Sequence, residues 1–164
     1  MTLDPKFGHG AVVCVSIDDK ARVPLGLAAA NSQAPILMSL QYKVRLPDHD
    51  FVVARRHTLI PSVYAECVVK EDGKISYSGK TFVRVRSGKH DSSNAYTHAF
   101  DIRELFSSNS IQRKPILIIE TDGAADEAPR FPKVLMANVS LFRKLKLDVL
   151  IHVVNAAGTN YYII

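Results

Sequence analysis

Asp18 and Asp19 close the apolar run at residues 11–17 (AVVCVSI), and Asp122 follows Thr121 at the end of the apolar run at residues 115–120 (PILIIE). Continuous apolar runs of this length, rich in β-branched residues, read as strands covered on both faces, so both acidic groups fall at strand ends. If the two strands lie side by side and parallel, those ends are about 5 Å apart. Carboxylates converging in this way suit Mg2+ or Mn2+, which take hard oxygen ligands. Two such ions about 3.5–4 Å apart can clamp the attacking and leaving oxygens of a phosphodiester during in-line displacement. Strand alternation turns one of Asp18 and Asp19 inward and the other outward, and a one-residue shift of the strand end exchanges them. Asp18, directly after the last strand residue, is the favoured ligand. The competing reading is turn chemistry, because aspartate is frequent after strands and Asp122 with Gly123 is a favoured turn pair. Carboxylates brought together without a cation repel, so convergence of the two ends is the property that separates the readings.

Arg84, Arg86, Lys89 and His90 form a basic cluster on and after the alternating stretch at residues 81–86 (TFVRVR), and Arg143, Lys144 and Lys146 form another near a helix end. Cations so placed can hold phosphates and position a nucleic acid without reading its sequence. Solvated strand and helix faces, with cations at a helix C-terminus, are the plainer account. The six histidines have no zinc-ligand spacing with Cys14 or Cys67, so no structural zinc site is expected. Asp48, His49 and Asp50 read as a surface loop. No serine sits in a nucleophile elbow, and Gly8, Gly10 and Gly26 do not make a phosphate-cradling loop.

The elements that must position these groups follow from periodicity. Residues 37–46, 51–54 and 62–69 offer short strands, and residues 81–86 a strand with Val83 and Val85 on its inner face. Ser92, Ser93 and Asn94 offer N-caps for a helix through about Phe106, in which Tyr96, Ala99, Phe100, Arg103 and Leu105 or Phe106 recur at helical spacing. Residues 115–120 are the next strand. Asp126, Glu127 and Pro129 resemble a helix start, with Val134, Leu135, Val139, Leu141 or Phe142 and Leu145 forming one face. A last strand spans residues 148–154. The order of strands, helix, strand, helix, strand predicts an α/β fold of the ribonuclease H-like kind, with a mixed five-stranded sheet flanked by helices.

The chain of 164 residues, 47% hydrophobic and 23% charged, is long enough for one domain over residues 1–164 with its own core. Its composition excludes collagen, coiled coil and wholesale disorder. A net charge of +5 favours polyanionic partners without identifying one. No apolar run reaches the roughly 18–20 residues that cross a bilayer, and the two cysteines read as buried free thiols of a reducing compartment.

Six segments carry a family resemblance: residues 15–26 (VSIDDKARVPLG), 46–54 (LPDHDFVVA), 57–65 (HTLIPSVYA), 77–81 (YSGKT), 86–90 (RSGKH) and 121–130 (TDGAADEAPR). Together they resemble a group of eukaryotic transposon-derived proteins with the ribonuclease H-like core of DDE transposases. The resemblance implies Mg2+-dependent (or Mn2+-dependent) DNA strand cleavage and transfer, a nuclear or cytoplasmic location, DNA as partner and a homo-oligomer as an option. It puts the first acid on Asp18 or Asp19 and the second on Asp122. Two departures stand out. Gly123, Ala124 and Ala125 replace the Gly-Gly-Pro that relatives tend to have, and the helix bearing the third acid does not follow the turn at residues 155–158 (NAAG). Asp126 or Glu127 could substitute, although a helix cap is the plainer role. The expectation is therefore an inactive or fragmentary catalytic core, with a non-catalytic DNA-binding or interaction module as the alternative.

Overall fold

Residues 12–17 are buried without exception, and so are residues 116–121. A strand points alternate side chains to opposite faces, so it can bury all of them only when both faces are covered. The computed structural model describes residues 9–27, 51–52, 57–70, 75–124 and 127–154. After a short 3-10 turn at His9–Ala11, the chain forms β1 (Val12–Asp19), β2 (Val23–Pro24), β3 (Gly26–Leu27), β4 (Phe51–Val52), β5 (Thr58–Val69) and β6 (Ile75–Ser76). It continues with β7 (Thr81–Ser87), α1 (Ala95–Ser107), β8 (Ile116–Thr121), α2 (Pro132–Leu145) and β9 (Val149–Val154). The expected strand at residues 37–46 lies outside the described residues.

The fold is mixed α/β, a seven-stranded sheet with two helices. β5 lies antiparallel to β1 on one side and to β7 on the other, β1 is parallel to β8, and β8 is parallel to β9. The long strands therefore run β7-β5-β1-β8-β9 across the sheet. Five of the seven are long, whereas the sequence predicts a sheet of five strands in all. β2 and β6 bring the total to seven by adding two-residue pairings to β5, too short to leave an alternating pattern. β3 and β4 pair separately.

β5 begins at Thr58, four residues before the expected strand, because Pro61 sits inside it. Pro61 accepts a hydrogen bond from Lys20 N–H at 2.8 Å. Having no N–H to return, it ends the β1 ladder there. The proline thus fixes where β1 stops, directly after Asp19.

One face of the sheet packs on both helices through Val13, Val15, Ile17, Tyr64, Leu117 and Ile119, against Ile102 and Phe106 of α1 and Leu141 and Leu145 of α2. The other face carries a smaller cluster of Val12, Cys14, Cys67, Ile116 and Ile118. Asn94 caps α1 as expected, its side chain accepting from Tyr96 and Thr97 N–H while Thr97 returns a bond to Asn94. α2 starts later than expected, at Pro132 after an uncapped Phe131; ahead of it, Glu127 and Ala128 N–H bond the Ala124 carbonyl and Phe131 N–H the Ala128 carbonyl in turns.

Three faces differ from their periodicity. In α1 the buried stripe is Ala95, His98, Asp101, Ile102 and Phe106, while Tyr96 and Phe100 are about half exposed. In α2 Val134, Ala137, Leu141 and Leu145 are buried and Leu135 and Val139 are exposed. Each helix carries two apolar stripes, and the alanine-bearing one wins: Ala95, Ala99 and Ala137 let the helices approach closely. In β7, Val83 and Val85 are exposed at 58% and 54%, and Phe82, Arg84 and Arg86 pair with the helix-facing Tyr64, Ser62 and Ile60. The inward slot opposite α1 holds a cation because α1 brings Asp101 to meet it. Among the described residues no helix is long and apolar enough to cross a membrane.

Candidate functional site

β1 ends by sending its two aspartates to opposite faces. Asp19 is on the helix side, where its Oδ1 accepts from the Ser62 hydroxyl and its Oδ2 is 3.8 Å from His98 Nε2. Asp18 lies on the other side, paired with Lys20. The parallel register of β1 and β8 matches Val12 with Ile116 and Ser16 with Glu120. The pairing ends at Ser16 with Glu120; Asp18 lies two residues beyond it in β1, and Asp122 two residues beyond it and one past the end of β8, so both acids fall at the same edge of the sheet. Asp122 is exposed and its Oδ1 accepts the Ala124 N–H at 2.9 Å, so it also makes the turn contact expected of it. Gly123, at φ +89°, is required there: a Cβ would come 2.5 Å from Val154 Cγ1.

The basic cluster divides. Lys89 and His90 are exposed in the turn after β7, and the Arg84 side chain is 52% exposed while its Nε bonds Asp101 at 3.1 Å. Arg86 does not face solvent as a phosphate contact would. It is 4% exposed, with its guanidinium donating to Asp101, Ser62 and the Tyr64 hydroxyl. Tyr64 Oη in turn donates to Asp101 Oδ2 at 2.7 Å and lies 2.9 Å from His98 Nδ1. Burial alone would pull the Arg86 guanidinium down, but Tyr64 and Asp101 more than offset it and its pKa lies above the ordinary value. The Tyr64 hydroxyl is pushed up, first by burial and then by its bond to Asp101. Asp19 and Arg86 thus belong to one buried polar network that ties β1, β5 and β7 to α1 through shared hydrogen bonds. Sequence reasoning missed Asp101, His98 and Tyr64. The available signal was the spacing of Ala95, His98, Asp101 and Ile102, which puts an acid on a helix stripe that is otherwise inward.

A cavity of about 20 Å3, room for about one water, is lined by His98, Glu127, Asn138 and His152 between the helices and the sheet. His152 Nδ1 is 2.8 Å from Asn138 Nδ2 and its Nε2 is 3.1 Å from Thr121 Oγ1. An amide N–H donating to Nδ1 requires a neutral ring. Burial pushes the His152 pKa down to about 4. With an unfolded value of about 6.5, this histidine stabilises the fold fully above that pH. Its contribution falls as pH drops toward 4. Denaturant midpoints at pH 7 and pH 5 should therefore differ more for the natural chain than for His152→Gln. Equal pH slopes would contradict the assignment.

Glu127 is buried, with its N–H on the Ala124 carbonyl at 3.0 Å, and it lies four residues before Phe131, the N-cap of α2. Asp126, Asp48, His49 and Asp50 lie outside the described residues. Arg143, Lys144 and Lys146 are exposed at the C-terminal end of α2, where cations meet the negative end of the helix dipole. Cys14 and Cys67, far apart in sequence, are register partners across β1 and β5, both buried and both free.

No protein-family model matches the chain, and no characterised protein matches it in sequence. Among solved structures, a chain in the crystal structure of the Mos1 strand transfer complex is similar at 12% identity and a TM-score of 0.39. The alignment covers 88% of this chain and 35% of that one, so the chain spans about a third of its neighbour's length. What the comparisons supply is a weak structural link to that complex.

Proposed function

We propose that this chain is a transposase-derived, ribonuclease H-like core that binds DNA and holds a divalent cation between Asp18 and Asp122. The observation behind the reading is the parallel register of β1 and β8, paired from Val12–Ile116 to Ser16–Glu120, which runs both strands toward the ends that carry Asp18 and Asp122. The order β7-β5-β1-β8-β9, with only β5 reversed, supports the ribonuclease H-like assignment. The six quoted segments support its transposon-derived origin.

The donors fit the cation. Asp18 is partly exposed and Asp122 exposed, both offer hard oxygen, and Lys20 is the ion-pair partner of Asp18. Asp18 and Asp122 would hold Mg2+ or Mn2+, which supplies charge neutralisation for a phosphodiester undergoing displacement. The chain's own part is positional. β1, β7, β8 and β9 point the same way, so Lys89 and His90, just after β7, share the sheet edge with both aspartates. Exposed cations beside the acids would hold the flanking phosphates, with Arg84 further along β7. Among the described residues, no third carboxylate joins Asp18 and Asp122 in a ligand cluster. Two carboxylates can hold one divalent cation, whereas strand cleavage by two metals needs further ligands to fix their geometry.

DNA affinity measured across a salt series, with a nicking assay in Mg2+ and Mn2+, tests this reading. Binding should weaken steeply with salt, and Lys89→Ala with His90→Ala should make the slope shallower by about one or two phosphate contacts. Salt-insensitive binding, or none, would refute the DNA reading. Efficient metal-dependent nicking would refute the view that cleavage is lost.

A further inference from the structure

The face away from the helices holds a second set of donors, of different chemistry. Cys14 and Cys67 are cross-strand partners, and Glu120 reaches the same place from β8, on the other side of β1. The two sulfurs and a carboxylate oxygen lie within 4.8 Å of one another, all three residues buried. Glu120 is 7% exposed, and its Oε2 has no hydrogen-bond partner among the described residues. Its Oε1 accepts from Tyr77 Oη at 3.4 Å. Ser16, opposite Glu120 in register, also has a buried hydroxyl without a partner among the described residues.

A carboxylate sealed in beside two thiols with one oxygen unbonded is costly unless something compensates it. We propose that Cys14, Cys67 and Glu120 form a buried site for one thiophilic divalent cation of the zinc class, separate from the aspartate pair. Tetrahedral zinc with Zn–S of about 2.3 Å places two sulfurs about 3.8 Å apart, which falls inside the 4.8 Å within which these donor atoms lie. Two soft sulfur donors select against Mg2+ and toward zinc-class ions. Loading releases two thiol protons to solvent and leaves two thiolates, one carboxylate and one dication, so the site carries a net charge of −1. Tyr77, bonded to Glu120, steadies that carboxylate from outside as donors around metal ligands do. Ligand spacing in the sequence conceals the site because its members come from three strands.

The test uses the full chain, stripped with a chelator and reduced, then titrated with Co2+ and separately with Zn2+. Expected are intense near-ultraviolet thiolate-to-cobalt bands, visible bands of a tetrahedral ion, and one zinc per chain that excess Mg2+ does not displace. Glu120→Gln should weaken zinc by about tenfold or more, and Cys67→Ser should abolish the cobalt–sulfur bands. Asp122→Ala should leave zinc stoichiometry unchanged, which keeps this site's failure distinct from failure of the aspartate pair. The cobalt spectrum of the natural chain needs no variant and so does not depend on whether the variants fold. Absence of sulfur-to-cobalt bands, equal zinc uptake by Cys67→Ser, or isolation of a Cys14–Cys67 disulfide that takes up no metal after reduction would overturn the proposal.

Discussion

Arg86→Ala should lower the thermal midpoint by about 6–20 °C. The substitution removes a cation that is 4% exposed and leaves Asp101, itself 6% exposed, without its buried partner. Breaking a buried pair from one side costs about 3–5 kcal/mol, because the desolvated charge that remains is uncompensated. For a domain of this size each kcal/mol moves the midpoint by about 2–4 °C. Arg84 remains 3.1 Å from Asp101 and recovers part of the loss, but its side chain is half exposed and its charge correspondingly screened. The informative comparison is Arg86→Met combined with Asp101→Leu, which removes both charges and keeps apolar volume. That double variant should be much more stable than Arg86→Ala alone, since an apolar substitute for a buried pair is often near neutral. If single and double variants lose the same stability, the pair does not act as a unit and the network assignment fails.

The second large effect separates the two adjacent aspartates. With Mg2+ or Mn2+ at about 100 times its dissociation constant, mass action adds about 2.7 kcal/mol to the folded state, a rise of roughly 5–11 °C. Asp18→Ala and Asp122→Ala should abolish that rise. Asp18→Ala should cost little in metal-free buffer, because its partner Lys20 is exposed. Asp19→Ala should behave in the opposite way. It removes the acceptor of Ser62 and a neighbour of His98, so metal-free stability falls by about 1–2 kcal/mol, while the metal-dependent rise survives. A rise lost in Asp19→Ala but kept in Asp18→Ala would reverse the assignment of the two faces.

That split was half legible beforehand. The apolar runs before Asp18 and Asp122 identified two strands nearly to the residue, because continuous burial leaves little freedom in where a strand starts or stops. Which aspartate faces which side was not readable, since alternation is unambiguous only once the strand end is known. The end is set by Pro61 in another strand, a non-local cause. Arg86 shows the same limit from the other side. Val83 and Val85 made the expected inner face by hydropathy alone, and the actual inner face is decided by Asp101, fifteen residues further along the chain. The capped start of α1 was readable because Asn94 and Thr97 are local to it. The cysteine–glutamate cluster was not, because strand pairing rather than spacing brings its members together.

The parallel pairing of β1 with β8 also has a kinetic consequence. Val12 and Ile116 are about a hundred residues apart, so joining these strands closes a long loop whose entropy must be met before the contacts repay it. The antiparallel β5–β7 ladder and α1 lie within a far shorter stretch and can organise early. That order would put the pairing of β1 with β8 late in folding. If Asp18 and Asp122 hold a cation as proposed, their carboxylates would come together only against a sheet already formed.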